Sequence, residues 1–285
     1  MKKPFSTMLA LCALVVCLML PGLATAEQFK IAIMQDQQGA AAKFKPLLDY
    51  LGKKGIAASF VGTPDYPAAA AMFAGGQVDA MFSGSGIAGA MIIKELAEPE
   101  VRPVGKDGHS TYWAVVIAPK GAPKFTGSAE YFKGKRVILT SLASAGEFYF
   151  RSLPESSSSG AQVMKAISHG AALNALDIGQ ADFAIVKNRV WDKLKEKYPN
   201  LVKVGEDKGE NPDNTLIVSK KADKATVFKV ASALLGLKAD ASAEAKAAMD
   251  SLEITGYIKT TVKDFGHTIP MLKAAGVTKE FNFTF

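Results

Sequence analysis

Residues 171–182, AALNALDIGQAD, repeat the grammar of residues 68–79, AAAAMFAGGQVD. Each is a run of small helix-forming residues that closes on Gly-Gln-X-Asp and leads into an apolar stretch, Val78–Phe82 in the first case and Ala181–Val186 in the second. Glycine ends a helix because it accepts the left-handed conformation that other residues resist. Chance or ordinary α/β grammar produces such a pair, and so do two lobes of one architecture.

The surrounding pattern alternates strand and helix. Before the first repeat, Phe29–Met34 reads as a strand, Lys43–Lys54 as a helix with Phe44, Leu47, Leu48 and Leu51 at helical spacing, and Ile56–Val61 as a strand. Tyr66–Ala74 is helical, Ile87–Leu96 helical, and Tyr112–Ala118 a buried strand running into Pro119. The order then restarts: strand Arg136–Thr140, helix Gly146–Leu153, strand Val163–Ile167, helix Ala171–Ile178, helix Val190–Lys197 and strand Leu201–Val204. Thr215–Ser219 returns as a strand, and the remainder reads as mostly helical. The expected fold class is α/β with two lobes, each a mixed, mainly parallel sheet flanked by helices. Crossings near Trp113–Pro119 and Asn214–Ser219 would join them, giving residues 27–115 and 215–285 to one lobe and 116–214 to the other.

Residues 1–26 set the compartment. Lys2 and Lys3 precede an apolar run from Met8 to Leu20, Pro21-Gly22 ends it, and Ala24-Thr25-Ala26 offers small residues before Glu27. This is the pattern of a cleaved secretory signal rather than a spanning helix, which needs about 20 apolar residues. The expected location is the periplasm. Both cysteines, Cys12 and Cys17, lie in the leader, so a mature chain has neither disulfide nor thiol nucleophile. The leader holds two lysines and no acid, so its removal takes the formal charge from +7 to +5. Of the 34 Lys and Arg, only Arg102, Arg136, Arg151 and Arg189 are arginines, and no dense basic run or aromatic-basic repeat suggests nucleic acid.

In open α/β sheets, ligands sit beyond the carboxyl ends of strands. Two junctions fit. Ser83-Gly84-Ser85-Gly86 follows a strand and opens a helix, and Thr140-Ser141-Leu142-Ala143-Ser144-Ala145-Gly146 does the same in the second half. Hydroxyls and free helix-end N–H groups make such turns seats for an anion. His169, at a strand-to-helix junction, adds a potential donor; His109 and His267 read as structural. Asp79 and Asp182 begin strands at the far end and also read as structural. No dinucleotide fingerprint, P-loop, HExxH or Gly-X-Ser-X-Gly occurs, and no histidines lie at metal-ligand spacing. No catalytic residue, metal or cofactor is expected.

Phe44-Lys45-Pro46-Leu47-Leu48-Asp49-Tyr50-Leu51 resembles an element of ABC-transporter substrate-binding proteins of the phosphate, phosphite and phosphonate type. Asp65-Tyr66, Gly75–Asp79, Tyr112–Val116, Phe132–Val137, Ser144-Ala145-Gly146, Ser168-His169, Ala181–Ala184 and Gly256-Tyr257 follow in the family's order. The resemblance implies a type II periplasmic binding fold with two hinge strands, a small anion held between the lobes, and docking to an inner-membrane permease. It implies a ligand set of Ser83, Gly84, Ser85, Ser141, Ser144, Ala145, His169 and Tyr66, with the loop Gln35–Gly39 nearby; a monomer is expected. Where the family has a Ser-Thr-Ser-Gly-like run, this chain has Ala143-Ser144-Ala145-Gly146, two hydroxyls fewer. Hydrogen bonds to a charged group contribute about 1.5–3 kcal/mol each, so their loss would weaken an oxyanion site by several hundredfold or more unless Ser83, Ser85 and the backbone compensate. A different organic solute, or partnership with a sensor kinase, is the alternative reading; a secreted hydrolase is a remote one.

Overall fold

A computed structural model of the chain describes residues 28–34, 40–64, 66–140 and 144–283. The first half opens with β1 (Phe29–Met34), α1 (Lys45–Lys53), β2 (Ala58–Thr63), α2 (Tyr66–Ala74), β3 (Ala80–Ser83), α3 (Ser85–Ile93) and β4 (Ala97–Gly105). A two-residue strand, β5 (Thr111–Tyr112), leads into β6 (Ala114–Pro119), then β7 (Arg136–Thr140), α4 (Ala145–Ser152), β8 (Gln162–Ala166), α5 (His169–Asp177), β9 (Phe183–Lys187), α6 (Asn188–Leu194) and β10 (Leu201–Glu206). The chain returns through β11 (Asn211–Pro212) to β12 (Thr215–Ser219), α7 (Lys224–Gly236), α8 (Ala243–Ser251), β13 (Ile254–Lys259) and α9 (Thr268–Ala274).

Two sheets result, ordered β13-β4-β12-β3-β1-β2 and β10-β6-β9-β7-β8. Each is built on a parallel trio, β2-β1-β3 and β8-β7-β9. Beside each trio lies one strand that has just come over from the other lobe and enters antiparallel: β12 against β3, and β6 against β9. The sheets are therefore less parallel than the strand–helix alternation implies. The short ladder β5/β11, with Asn211 opposite Tyr112 and Pro212 opposite Thr111, carries both crossings. It lies a few residues before the stretches expected to cross, which instead supply β6 and β12.

The repeat that opens the sequence has a structural meaning. Gly76 and Gly179 both take the left-handed conformation, with φ of 70° and 74°, and end their helices. The aspartate three residues later then clasps the first strand of its own trio. Asp79 accepts from the Lys30 N–H at 2.8 Å and gives its own N–H to the Lys30 carbonyl at 2.9 Å. Asp182 does the same to Arg136, at 2.8 and 2.9 Å, and adds the Arg136 guanidinium at 2.9 Å. That guanidinium holds the Asp182 carboxyl below its ordinary value. Both aspartates are thus register pins at the amino ends of the parallel trios, the structural role read from their position. By this correspondence the loop after β3 is the counterpart of the loop after β9, Lys187–Arg189, and not of residues 141–146, which follow the counterpart of β1.

One strand forms where no element is expected, and one expectation for the chain's later part changes. Ala97–Gly105 carries Pro99 and Pro103, which argue against a strand; yet β4 is interior to its sheet, and Pro99 falls where the β12 ladder shifts register. Ile254–Lys259 lies in the remainder that reads as mostly helical but forms the edge strand β13. Its alternation is masked by a bulge at Gly256, whose φ of 144° and whose contact with Lys238 both favour glycine.

One apolar core runs through both lobes. It joins Met81 and Ile217 of the first sheet to Leu139 and Ile185 of the second by way of α3, α9 and Phe148 of α4. Helix α9 packs against both α3 and α4, and α3 packs directly on α4. The C-terminal helix therefore ties the cleft helices of the two lobes together. Separate clusters cover the outer faces, Leu47, Val230 and Leu234 on one lobe and Leu173 and Trp191 on the other. Among the described residues no helix is long and apolar enough to cross a membrane.

Candidate functional site

β3 ends on Ser83, and Gly84, extended at φ −63° and ψ 160°, turns the chain into α3 without any side-chain cap. Ser83 is buried, and its Oγ has no hydrogen-bond partner among the described residues. In the β12–β3 ladder its direct neighbour is Thr215, also buried and also with an unpartnered hydroxyl. Strand periodicity puts both on the same face as Met81 and Ile217, toward α3. Ser85, the first residue of α3, shares a short hydrogen bond with the Tyr112 hydroxyl.

In the second lobe β7 ends on Thr140, whose hydroxyl is buried and, among the described residues, without a partner. Its carbonyl takes the Ser144 hydroxyl at 3.0 Å, while Ser144 Oγ accepts the Glu147 N–H at 3.2 Å. The Ser144 hydroxyl is thus committed to capping α4. Gly146 lies against the Ile185 carbonyl of β9 so closely that a Cβ there would collide with it, which is why α4 can seat at the strand end. Ser168 caps α5 by accepting from Ala171 at 3.1 Å, and His169 follows.

The His169 ring accepts the Lys187 N–H at Nδ1, 3.4 Å away, which leaves its proton on Nε2. Desolvation, aided by the Lys187 charge, pushes its pKa from 6.5 down to about 4. His169 is therefore a neutral donor at physiological pH. Because the unfolded chain protonates first as pH falls, this depressed value gives stability that is complete above about pH 6.5 and is lost toward pH 4. Thermal unfolding followed across that window is expected to show the decline in the parent and a shallower one in His169→Gln; identical slopes would contradict it.

Charged groups complete the wall. Lys187 Nζ lies 2.6 Å from Asp213 and 4.3 Å from the Tyr112 ring centroid, in cation–π contact. Arg189 pairs with Asp213 at 2.8 Å and with Asp107 at 3.0 Å. Two cations meet two anions, so the cluster is close to neutral. A continuous chain of contacts now runs from Ser85 through Tyr112 and Lys187 to His169 and spans both lobes.

Of the expected residues, Ser83, Gly84, Ser85 and His169 come together through this chain, and Ser144 lies at the adjoining start of α4. Ser141 and the loop Gln35–Gly39 lie outside the described residues, as do the side chains of Tyr66 and Ala145. Tyr112, Thr140, Lys187, Asp213 and Thr215 carry the site without having been singled out for it. Thr140 opens a quoted junction, but Lys187, Asp213 and Thr215 are ordinary residues at or beside strand ends until the sheets bring them together. His267 pairs with Asp207 at 2.9 Å. Among the described residues no group of His, Cys, Asp and Glu forms a metal site. A hollow of about 620 Å³ lies at the opposite end of the second sheet, around Arg136, Asp182 and Leu201, not between the lobes.

A family model described as "ABC transporter, phosphonate, periplasmic substrate-binding protein" matches residues 29–265. No curated protein matches the chain. Three solved structures share the fold at 16% identity over 87% of this chain. XAC2383 from Xanthomonas citri, bound to chloride, superposes with a TM-score of 0.74 over 97% of its own length. PhnD1 from Prochlorococcus marinus, in complex with methylphosphonate, gives 0.67 over 98%. A binding-protein component of a phosphonate transporter from Pseudomonas aeruginosa gives 0.67 over 86%.

Proposed function

The chain belongs to the family of periplasmic substrate-binding proteins of phosphonate ABC transporters, and from that premise we propose that it captures a small phosphorus oxyanion between its lobes and delivers it to a membrane permease. The type II periplasmic binding fold and the solute-binding role come with the family, which is not an enzyme class. Phosphonate, phosphite or phosphate as the solute, the permease hand-over and cleavage after Ala26 are this reading's own.

The three orphan hydroxyls carry it. A buried hydroxyl without a partner costs about 1–3 kcal/mol, and native proteins tolerate few. Ser83, Thr215 and Thr140 are three of them: Ser83 and Thr140 end β3 and β7, and Thr215, which opens the antiparallel strand β12, stands beside Ser83, so two lie in one lobe and one in the other. An oxyanion accepts from all three and from the uncapped start of α3. With the lysine and arginine already balanced by Asp213 and Asp107, hydroxyls, amides and the neutral His169 are the donors that remain. They replace the two hydroxyls absent at Ala143 and Ala145. A ligand held by both lobes favours the closed arrangement, and closure is the signal a permease reads.

The test is thermal unfolding with methylphosphonate, phosphite, phosphate, sulfate and arginine, each at millimolar level. A solute at a hundred times its Kd stabilises by about 2.7 kcal/mol, a shift of several degrees for a chain of this size. Stabilisation by a phosphorus oxyanion beyond that from sulfate or arginine is expected. No response to any phosphorus oxyanion would overturn the ligand assignment.

A further inference from the structure

Resting on the oxyanion reading above, we propose that Lys187 makes the cleft selective for a doubly charged anion by leaving Asp213 for the solute when the cleft fills. The argument turns on how the two cations of the cluster are held. Arg189 is fixed between two carboxylates, Asp213 at 2.8 Å and Asp107 at 3.0 Å, and its guanidinium lies so close to Gly105 that a side chain there would displace it. Among the described residues Lys187 has one carboxylate partner, Asp213 at 2.6 Å.

A buried carboxylate stripped of its only partner is strongly disfavoured. Asp213 escapes that penalty because Arg189 stays on its other oxygen. Lys187 is thus the exchangeable member of the cluster. Its ammonium already stands over the Tyr112 ring, whose hydroxyl is bonded to Ser85 at the start of α3. Its backbone N–H is bonded to His169. A short swing brings three rotatable donors on a flexible stem to a solute resting at Ser83 and Ser85.

A monoanion is satisfied by the hydroxyls, amides and His169. The second charge of a dianion needs a compensating cation in a poorly solvated site, and Lys187 is the one that can move without stranding an acid. The other charged or titratable groups facing it are Asp107, Asp213, Arg189, His169 and Tyr112. Glu210, on the β11 ladder, is engaged by the Thr111 hydroxyl at 2.7 Å. His169 is neutral throughout the range in which a phosphonate loses its second proton.

Calorimetric titration of the full mature protein with methylphosphonate and with its monomethyl ester, from about pH 5.5 to about pH 8.5, tests this. In the parent, methylphosphonate affinity is expected to climb as the second proton leaves. Lys187→Met is expected to lose roughly tenfold to a hundredfold for methylphosphonate at the upper pH and to flatten the climb, with the monoester affected by no more than a few-fold. Lys187→Arg is expected to keep the climb. Should Lys187→Met not fold, Lys187→Gln, which retains a donor for Asp213, takes its place. A Lys187→Met or Lys187→Gln variant that keeps the parent's climb, or that weakens both ligands alike, overturns the role of Lys187 alone. A parent that binds neither ligand overturns the oxyanion reading itself.

Discussion

Ser83→Ala/Thr215→Val is expected to bind its oxyanion between about a hundredfold and ten-thousandfold more weakly than the parent, while its unligated form unfolds at a higher temperature. The two effects have one cause. Both hydroxyls are buried without a partner among the described residues, and replacing them with carbon removes an unmet polar group from each side of one ladder step. In the filled protein each would donate to a charged acceptor, worth about 1.5–3 kcal/mol, so losing both costs two to four orders of magnitude in Kd. A stability–function trade-off of this sign marks a binding site. Paired calorimetry on parent and variant decides it. A variant that binds as well as the parent would remove these hydroxyls from the site, and one that is destabilised when empty would show that they serve the fold.

Phe132→Ala is expected to have the largest effect on stability, about 3–5 kcal/mol, with oxyanion affinity in the folded protein unchanged within a few-fold. The ring is fully buried at the amino end of β7 and is enclosed by Phe125, Tyr131, Phe150 and Phe183, with centroids 5.2–5.7 Å away. Removing it leaves a cavity whose surrounding rings are already held, Tyr131 by both Phe125 and Phe183, and cannot readily refill it. For a chain of this size the melting temperature falls by roughly 6–20 °C. Thr140 stands at the other end of the same strand, so the cleft is spared. A urea transition moved by less than about 1 kcal/mol would show that the aromatic cluster collapses into the gap.

The parts of this fold legible in the amino-acid order were those governed by local rules. Arg136–Thr140, Tyr66–Ala74 and Thr215–Ser219 coincide with β7, α2 and β12 because their apolar pattern and their glycine and proline boundaries act within a few residues. The repeated Gly-Gln-X-Asp was legible as helix stop and strand start. Its further duty, clasping Lys30 in one lobe and Arg136 in the other, required the neighbouring strand. β4 and β13 were not legible, since prolines and a bulge erase the two-residue period.

The candidate site divides in the same way. Ser83, Gly84, Ser85 and His169 stood out because serine, glycine and histidine at strand-to-helix turns carry a local signature. Ser144 carried it too, but its hydroxyl is drawn into the cap of α4 by the nearest free N–H. Tyr112, Lys187, Asp213 and Thr215 carry no signature, for each is informative only against partners far along the chain.

Composition and order alone determined the kind of molecule: an α/β chain carrying a repeated Gly-Gln-X-Asp helix stop, without cysteine beyond residue 17, and with anion-friendly turns at strand ends. Only the tertiary structure decided which groups share the cleft and which of them are left wanting a partner. Hydrogen-bond satisfaction and charge balance are sums over everything within a few ångströms in space, and the amino-acid order does not state those distances.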